Sequence, residues 1–173
     1  MISINMMSSA DKVKGQGVLS AHDEQVGLMK QIDEFNIEEN KLDICDITHF
    51  HTVNLEYYLW LPFLKRKSTT VAYVHFVPQT LEGSLHLFKP FKYVFYRYLI
   101  KFYNSMDRLV VVNPYFIDVL NSYGINKEKI KYIPNYVSSE NFYPKTAEEK
   151  DEIRKKYNIA KDKFVVLSVG QLQ

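Results

Sequence analysis

The chain has 173 residues, 46% of them hydrophobic and 24% charged, and its formal net charge is +2. This composition excludes an intrinsically disordered chain, and the length suits one domain or one domain with a fragment of another. The single cysteine, Cys45, excludes an internal disulfide and indicates a reducing compartment. No stretch of the sequence approaches the roughly 20 apolar residues that a membrane-spanning helix needs.

Charge is distributed unevenly along the chain. Residues 60–106 contain seven basic residues and one acidic residue, which gives this segment a net charge of +6. The remainder has 15 basic against 19 acidic residues and is therefore acidic overall. A basic segment that is also rich in tyrosine and phenylalanine favours an anionic surface as its partner.

Residues 2–7 predict a first strand, and a loop that contains Gly15 and Gly17 follows it. We expect a helix after this loop, with an N-cap at Ser20 and an end near Asp33. A strand, a glycine loop and a helix in this order begin many nucleotide-binding units. Two loop glycines alone are weak support for such a unit, because glycine is common in turns.

Two short strands are predicted next, over residues 35–38 and 44–51. Side chains alternate along a strand, so His49 and His51 lie on one face, at a spacing compatible with zinc. No third ligand has a suitable spacing, and we therefore expect no metal site. An apolar helix then runs from Thr52 or Asn54 to Leu64 and is followed by three basic residues.

Residues 70–78 predict a strand that ends at a proline, with His75 near its end. In open α/β sheets, ligands bind in the crevice beyond the carboxyl ends of the strands. We therefore expect the His75 side chain to face a substrate. The alternative is a structural histidine that caps the strand end.

The helix predicted over residues 87–106 has one apolar stripe that we expect in the core, formed by Phe88, Phe91, Phe95, Leu99, Phe102 and Met106. The opposite side combines basic residues with tyrosines, includes Ile100 and Tyr103, and has no acidic residue before Asp107. Such a side suits the interface of an anionic membrane. The residues that we expect to bind the membrane are Lys89, Lys92, Tyr93, Tyr96, Arg97 and Lys101.

Two other partners could cover this helix. Another domain or a partner protein is the second candidate, because a surface helix is often buried in an assembly. Nucleic acid is the least favoured, because the chain has no further basic groove and no nucleic-acid-binding motif. We therefore expect no nucleic-acid partner.

The remaining elements continue the alternation of strands and helices. This alternation predicts an α/β fold, with a Rossmann-like parallel sheet that has helices on both faces. A strand near the end of the chain, with no helix after it, predicts the opening of a second domain. The predicted elements are a strand over 108–112, a helix over 114–123 ended by Gly124, a strand over 129–133, a charged helix over 147–157 and a strand over 163–170.

Several short motifs occur in a characteristic order: Gly15-Gln16-Gly17-Val18, Asp46-Ile47-Thr48-His49-Phe50-His51-Thr52, Val74-His75, Leu109-Val110-Val111-Val112-Asn113, Ile133-Pro134-Asn135-Tyr136-Val137, Phe142-Tyr143-Pro144 and Val169-Gly170-Gln171-Leu172. Over nearly the whole chain, this order resembles the N-terminal half of retaining GT-B glycosyltransferases of family four. Bacterial diacylglycerol glucosyltransferases are the most similar group, because of Asn113-Pro114-Tyr115-Phe116, Asn135-Tyr136-Val137 and the basic aromatic helix.

The resemblance implies two Rossmann-like domains that face each other across a cleft. Residues 1–145 would form the acceptor-side domain, the N-terminal domain of a GT-B enzyme. Residues 146–173 would form a linker helix and the first strand of the donor domain. The implied reaction is the retaining transfer of a hexose, expected to be glucose from UDP-glucose, to a membrane lipid such as diacylglycerol. The enzyme would act as a cytoplasmic protein bound to the inner face of the cell membrane.

The resemblance also implies roles for individual residues. Gly15 and Gly17 would let the backbone approach the donor diphosphate, because a side chain would block that approach. His75 would be the catalytic-site histidine that hydrogen-bonds the transferred sugar. His51 and Asn54 would line the acceptor side of the cleft. No metal or other cofactor is implied, because helix dipoles and basic side chains of the donor domain offset the leaving diphosphate.

The chain departs from the family pattern in two places. Gln171 stands where the family often has an arginine that contacts the diphosphate, and the paired-glutamate motif of the donor domain is absent. We therefore expect residues 1–173 alone to have no transferase activity. The alternatives are a glycosyltransferase with a soluble or protein acceptor and a non-catalytic binding module with the same fold.

Overall fold

The computed structural model describes residues 1–10, 17–82, 89–135, 139 and 142–168. Gly15, Phe88, Gly170 and Gln171 lie outside the described residues. The chain divides into two compact units, Met1–Tyr136 and Val137–Gln173. Each unit is described by itself, and the expected domain boundary between residues 145 and 146 stays a prediction.

The first unit contains one sheet of six parallel strands in the order β2-β1-β3-β4-β5-β6. This sheet confirms the predicted parallel α/β fold. Because all strands run in the same direction, their carboxyl ends meet at one edge, called the carboxyl edge below. The strands are β1 (Ile2–Met7), β2 (Phe35–Glu39), β3 (Ile47–Phe50), β4 (Thr69–Val74), β5 (Arg108–Val111) and β6 (Ile130–Tyr132).

The described residues of the first unit form five helices, and they lie on both faces of the sheet. Met6 packs with Val26 of the first helix, whereas Met7 packs with residues of the second, fourth and fifth helices. Consecutive strand residues point to opposite faces, so these two groups of helices lie on opposite sides. The helices are α1 (Gly17–Met29), α2 (Leu55–Leu64), α3 (Pro78–Leu81), α4 (Lys89–Asn104) and α5 (Tyr115–Ser122), and a 3₁₀ turn (Lys127–Lys129) precedes β6.

Two aspartates tie the amino ends of neighbouring strands together. The Asp46 carboxylate accepts hydrogen bonds from the backbone N–H and the hydroxyl of Ser3, both at 2.8 Å. The Asp107 carboxylate accepts from the Thr70 N–H at 2.9 Å and from the Thr70 hydroxyl at 2.7 Å, and it pairs with Lys65 Nζ at 3.1 Å. Although burial raises the pKa of Asp107, these contacts outweigh it and lower that pKa. The two pairs fix the starts of β1 and β3, and of β4 and β5.

Helix α4 differs from the predicted pattern at two residues. Phe91, expected in the core, is 69% exposed, and Tyr103, expected on the outer side, is 1% exposed. The reason is that only the last turns of α4 lie over the sheet, where Leu99, Phe102 and Tyr103 are buried. The Tyr103 hydroxyl donates to the Phe76 carbonyl oxygen at 3.1 Å, so its polar group keeps a partner.

Two further predictions are wrong in detail. Helix α1 begins at Gly17, so Ser20 lies inside the helix and is not its N-cap. Residues 163–168 form no strand, and Phe164 and Leu167 are 93% and 82% exposed. A strand needs a neighbour with which to pair, and the described part of the second unit contains none. That unit contains the charged helix α6 (Ala147–Lys156), as predicted.

We expect Asp107→Ala to lower the free energy of unfolding by about 1–3 kcal/mol, because the fully buried Thr70 would lose the partner of its N–H and hydroxyl. Urea denaturation followed by circular dichroism measures this change. Asp43→Ala is the control, because Asp43 is an exposed carboxylate in the β2–β3 connection, and we expect a change within about 0.5 kcal/mol there. Equal changes in the two variants would contradict the role of Asp107.

Candidate functional site

His75 lies at the carboxyl edge of the sheet, one residue after β4 ends at Val74. Its side chain is partly exposed there. This is the place in which open α/β sheets bind ligands, and it is where the sequence predicts His75 to lie. The role of His75 in binding a sugar stays a prediction.

His51 lies directly behind His75. The two rings approach with 3.4 Å between His75 Nε2 and His51 Nδ1, within hydrogen-bonding distance. His51 is only 2% exposed and stacks on Tyr73, with ring centroids 5.1 Å apart and an interplanar angle of 9°. The Tyr73 hydroxyl donates to the Ile133 carbonyl oxygen at 3.3 Å. His51 therefore supports the ring of His75 and does not itself face solvent in this structure.

Two more histidines surround His51, and sequence analysis did not connect them with His75. His22 of α1 meets His51 edge-on at 4.9 Å between ring centroids, and His49 of β3 lies 4.7 Å from it. His22 precedes the buried Val26 by four residues, so helical periodicity places both on the face of α1 that packs on the sheet. That periodicity could have identified His22. His22, His49, His51 and His75 are called the imidazole cluster below.

His49, His51 and His75 are uncharged at neutral pH. Burial, followed by repulsion from the charged form of His22, lowers the pKa of His75 to about 4. Burial, followed by repulsion from His75 and His22, lowers the pKa of His49 to about 3. Burial likewise lowers the pKa of His51. Neutral imidazoles donate one hydrogen bond and accept another, which suits a hydroxyl group better than a phosphate.

The cluster also contains buried nitrogen atoms without a hydrogen-bond partner. In the described part of the chain, the Nε2 atoms of His22, His49 and His51 have none. The His22 Nδ1 lies 3.1 Å from the Asp23 carboxylate, within hydrogen-bonding distance. Within the described residues, no group of three or more His, Cys, Asp or Glu side chains is arranged to hold a metal ion.

Asn54 lies at the N-cap position of α2, close in sequence to the end of β3. Its side-chain oxygen accepts from the Ser9 hydroxyl at 2.9 Å, and its amide nitrogen donates to Glu56 at 3.1 Å. Within the described ranges, the hydrogen bonds of Asn54 thus go to these neighbours and not to the imidazole cluster. Its expected role on the acceptor side stays a prediction.

Gly17 is the first residue of α1. A Cβ atom added to Gly17 would meet no protein atom within 4 Å, so the packing of the chain itself does not require glycine there. Gly15 lies outside the described residues. The approach of a diphosphate to this loop therefore stays a prediction for both glycines.

The predicted membrane-binding residues lie on α4, on the face of the sheet opposite to the imidazole cluster. Phe102 of α4 contacts Phe50, and Phe50 points away from His49 and His51 because side chains alternate along β3. Lys92 Nζ donates to the Glu82 carbonyl oxygen at 2.9 Å. The structure therefore does not bring these residues together with His75. Lys89, Tyr93 and Arg97 are exposed, as is Lys101, and Tyr96 and Lys92 are partly exposed.

Basic groups of α4 lie beside aromatic rings. The Arg97 guanidinium lies 5.7 Å from the centre of the Tyr93 ring, and Lys101 Nζ lies 5.7 Å from the centre of the Tyr58 ring of α2. A groove of about 620 Å³ runs between α2 and α4.

No helix in the described residues combines the length and the apolar character needed to cross a bilayer.

The pKa values of the cluster predict a pH dependence of stability. Between the ordinary pKa of 6.5 and the native values of about 4 for His75 and about 3 for His49, the unfolded chain binds more protons than the native chain. The contribution of these histidines to the free energy of unfolding is therefore complete above pH 6.5, and it is lost progressively as the pH is lowered toward 4. Each such histidine contributes at most about 1.4 kcal/mol per pH unit. Urea denaturation between pH 7.5 and pH 5 measures the slope.

We expect His49→Gln to reduce the dependence of the unfolding free energy on pH by the contribution of one histidine, because a titrating group is removed. Thr48→Val is the matched control on the other face of β3. It removes the hydrogen bond between the Thr48 and Ser68 hydroxyls, 2.8 Å apart, but no titrating group. The control should lower stability equally at all these pH values. A slope unchanged in His49→Gln would show that His49 does not titrate as its burial implies.

Comparisons with known proteins agree with the fold and with the motifs. Solved structures that match are those of Anabaena Alr3699/HepE in complex with UDP-glucose and in complex with UDP and glucose. Their TM-score is 0.60 and their sequence identity is 13% and 12%, over 91% of this chain and 50% of theirs. At this identity, the match shows that the chain shares their fold.

A curated relative, the alpha-galactosylglucosyldiacylglycerol synthase of Streptococcus pneumoniae, is 43% identical over 174 residues, which is 99% of this chain and 46% of the relative. The chain thus spans about half the length of the relatives that it matches. Residues 27–141 match the model of the family described as Glycosyltransferase Family 4. This match covers well over half of the chain and confirms the resemblance seen in its motifs. The chain belongs to Glycosyltransferase Family 4.

Proposed function

We propose that this chain forms the acceptor-side part of a glycosyltransferase that moves a hexose from a nucleotide-sugar to a membrane lipid such as diacylglycerol. The observation that carries the proposal is the 43% identity to a glycolipid synthase along 99% of the chain. The position of His75 at the carboxyl edge supports a sugar-binding site, and the basic side of α4 supports a lipid acceptor held in a membrane.

The imidazole cluster is proposed to orient the transferred sugar. In its neutral form, His75 accepts a hydrogen bond from a sugar hydroxyl or donates one to it. His51 and Tyr73 contact the His75 ring and fix its orientation, so little conformational freedom of this side chain is lost when the sugar binds. Because His51 and His75 are neutral, they do not offset the negative charge of the leaving diphosphate. That charge is proposed to be offset by basic side chains and helix dipoles of a donor domain, without a metal.

UDP-glucose is the proposed donor, and the proposed reaction retains the configuration at the anomeric carbon. A structural neighbour was solved in complex with UDP-glucose. The name of the pneumococcal relative includes both a galactosyl and a glucosyl unit, so a diacylglycerol that already carries glucose is a second acceptor to test. In either case, the acceptor hydroxyl oxygen forms the new bond to the anomeric carbon, and UDP leaves.

The protein is proposed to act at the cytoplasmic face of the cell membrane, with α4 on the anionic lipid surface. Lys89, Arg97 and Lys101 are exposed, and a basic residue near such a surface contributes about 1 kcal/mol. Tyr93 is 63% exposed beside Arg97. Tyrosines of this kind suit the depth of the lipid headgroups.

The reaction can be tested with the chain joined to the C-terminal part of the pneumococcal relative. We expect transfer of labelled hexose from UDP-glucose or UDP-galactose to diacylglycerol or glucosyldiacylglycerol in mixed micelles, and no transfer by residues 1–173 alone. His75→Ala should lower kcat about tenfold, because a hydrogen bond to the reacting sugar is lost.

Thr69→Ala is the control for His75, because Thr69 is exposed at the opposite end of the same strand, and its kcat should not change. Transfer only to soluble acceptors would favour the soluble-acceptor alternative. A joined protein that binds UDP and transfers no sugar would favour a binding module. Transfer by residues 1–173 alone would contradict the expectation that this part is inactive.

The membrane surface can be tested by reversing three charges of α4. We expect the triple variant Lys89→Glu, Arg97→Glu, Lys101→Glu to bind vesicles that contain phosphatidylglycerol at least about 100-fold more weakly, because three favourable charges are lost. Co-sedimentation with vesicles measures this affinity, and vesicles of phosphatidylcholine alone provide the baseline.

A control with the same change in net charge is Lys150→Glu, Lys155→Glu, Lys156→Glu. These three lysines are exposed on α6 of the second unit. We expect their reversal to reduce vesicle binding much less than reversal on α4. Equal losses in the two triple variants would indicate that net charge, and not the α4 side, governs the attraction.

A further inference from the structure

We propose that α2 inserts its exposed face into the interfacial layer of the membrane beside α4. This inference rests on the proposed membrane acceptor and names a second element that contacts the bilayer. The partner is an anionic lipid surface. The inserted residues are Leu55, Leu59, Trp60 and Phe63.

Helix α2 carries large apolar side chains on the side that faces water as well as on the side that faces the core, and Glu56 in its first turn is the one charged residue of the helix and is exposed. Tyr57, Leu61 and Leu64 are buried against the sheet. Leu55, Leu59, Trp60 and Phe63 are 61%, 62%, 40% and 69% exposed. A surface helix normally carries polar residues on its outer face, and neighbouring large apolar side chains in water mark an interaction surface. The outer face of α2 therefore requires a partner of its own.

Three basic residues follow this face, against the single carboxylate of Glu56, and this balance favours an anionic partner. Helix α2 ends at Leu64 and is followed by the exposed residues Lys65, Arg66 and Lys67. Lys65 is paired with Asp107, but within the described residues neither Arg66 nor Lys67 forms an ion pair. An apolar helix face next to basic residues is the composition of helices that lie in the interface of an anionic bilayer. The basic residues remain at the lipid headgroups while the apolar side chains enter the layer below.

The outer face of α2 is continuous with the proposed membrane surface of α4. The rings of Tyr58 in α2 and Tyr98 in α4 lie 5.8 Å apart, and Lys101 Nζ lies over the Tyr58 ring. Leu55 lines the groove between the helices together with Arg97. One flat partner can therefore contact both helices at once, and a bilayer is such a partner.

Insertion of α2 would also bring the membrane close to the candidate site. Helix α2 begins at Leu55, four residues after His51, so its first turn lies near the carboxyl edge of the sheet. The side chains of an interfacial helix enter about 5–10 Å into the boundary between headgroups and acyl chains. A lipid hydroxyl at that depth would have a short path to the carboxyl edge.

Trp60 provides a direct test, because it is the only tryptophan of the chain. The 173-residue chain is mixed with vesicles of phosphatidylglycerol and phosphatidylcholine, with and without bromine atoms on the acyl chains. We expect the Trp60 emission to shift to shorter wavelength on binding and to lose intensity with the brominated lipids. Vesicle binding without either change would overturn the inference, while the α4 surface and the proposed function would still stand.

A variant separates insertion from a second explanation of quenching. Trp60 also lines a cavity of about 340 Å³ beneath α2, together with Leu42 and Phe50, and a lipid chain in that cavity would quench it too. Phe63 is absent from the residues that line this cavity and is the most exposed side chain of the face. We expect Phe63→Ser to weaken vesicle binding about tenfold, because one buried phenylalanine is lost.

Phe164→Ser is the matched control, because Phe164 is 93% exposed in the second unit, and its vesicle affinity should not change. Unchanged binding by Phe63→Ser would overturn the inference. A second copy of the chain could instead cover the outer face of α2. Analytical ultracentrifugation without lipid tests for such a dimer. A dimer that dissociates on Phe63→Ser would also overturn the inference about α2. Failure of the unsubstituted joined protein to transfer hexose would instead count against the proposed function alone.

Discussion

The parallel pairing of β3 with β4 is the constraint on which the rest of the structure depends. Its register places His49 opposite Val71 and Phe50 opposite Ala72. His51 therefore comes to lie on the ring of Tyr73, and His75 follows at the end of the next strand. A shift of one residue would exchange the two faces of β3 and would put Phe50 where the histidines are. The same pairing thus sets both the imidazole cluster and the main core.

The two faces of the sheet consequently differ in composition and in the role that each has in the protein. One face, covered in part by α1, holds rings with hydrogen-bonding atoms in a small buried space. The other face is filled by apolar side chains such as Phe50, Leu99 and Phe102, which hold α2 and α4 in place. Burial keeps His49, His51 and His75 neutral, and this neutrality suits sugar hydroxyls but lowers stability in acid. The firm core on the other side supports outer helix faces whose composition suits a lipid surface.

Sequence patterns predicted much of this arrangement, and the errors have physical causes. The strands, the position of His75 and the family were predicted because each depends on local alternation or on short motifs. The periodicity of α1 could have placed His22 on the buried face, but its contact with His51 joins residues 29 positions apart and is not visible in any local pattern. Phe91 and Tyr103 were misplaced because the periodicity of α4 does not show where the helix leaves the sheet. The strand predicted over 163–170 is absent from its described residues, 163–168, because strand propensity does not supply a partner strand.

The order of strands and helices, the parallel α/β class and the apolar, basic and aromatic character of each segment follow from the sequence alone, because they depend on neighbours within a few residues. The imidazole cluster, the neutral state of His49, His51 and His75 and the exposure of the outer face of α2 were decided only by tertiary structure. Burial and charge repulsion depend on which segments meet in space, and the packing of α2 determines which of its apolar side chains reach water.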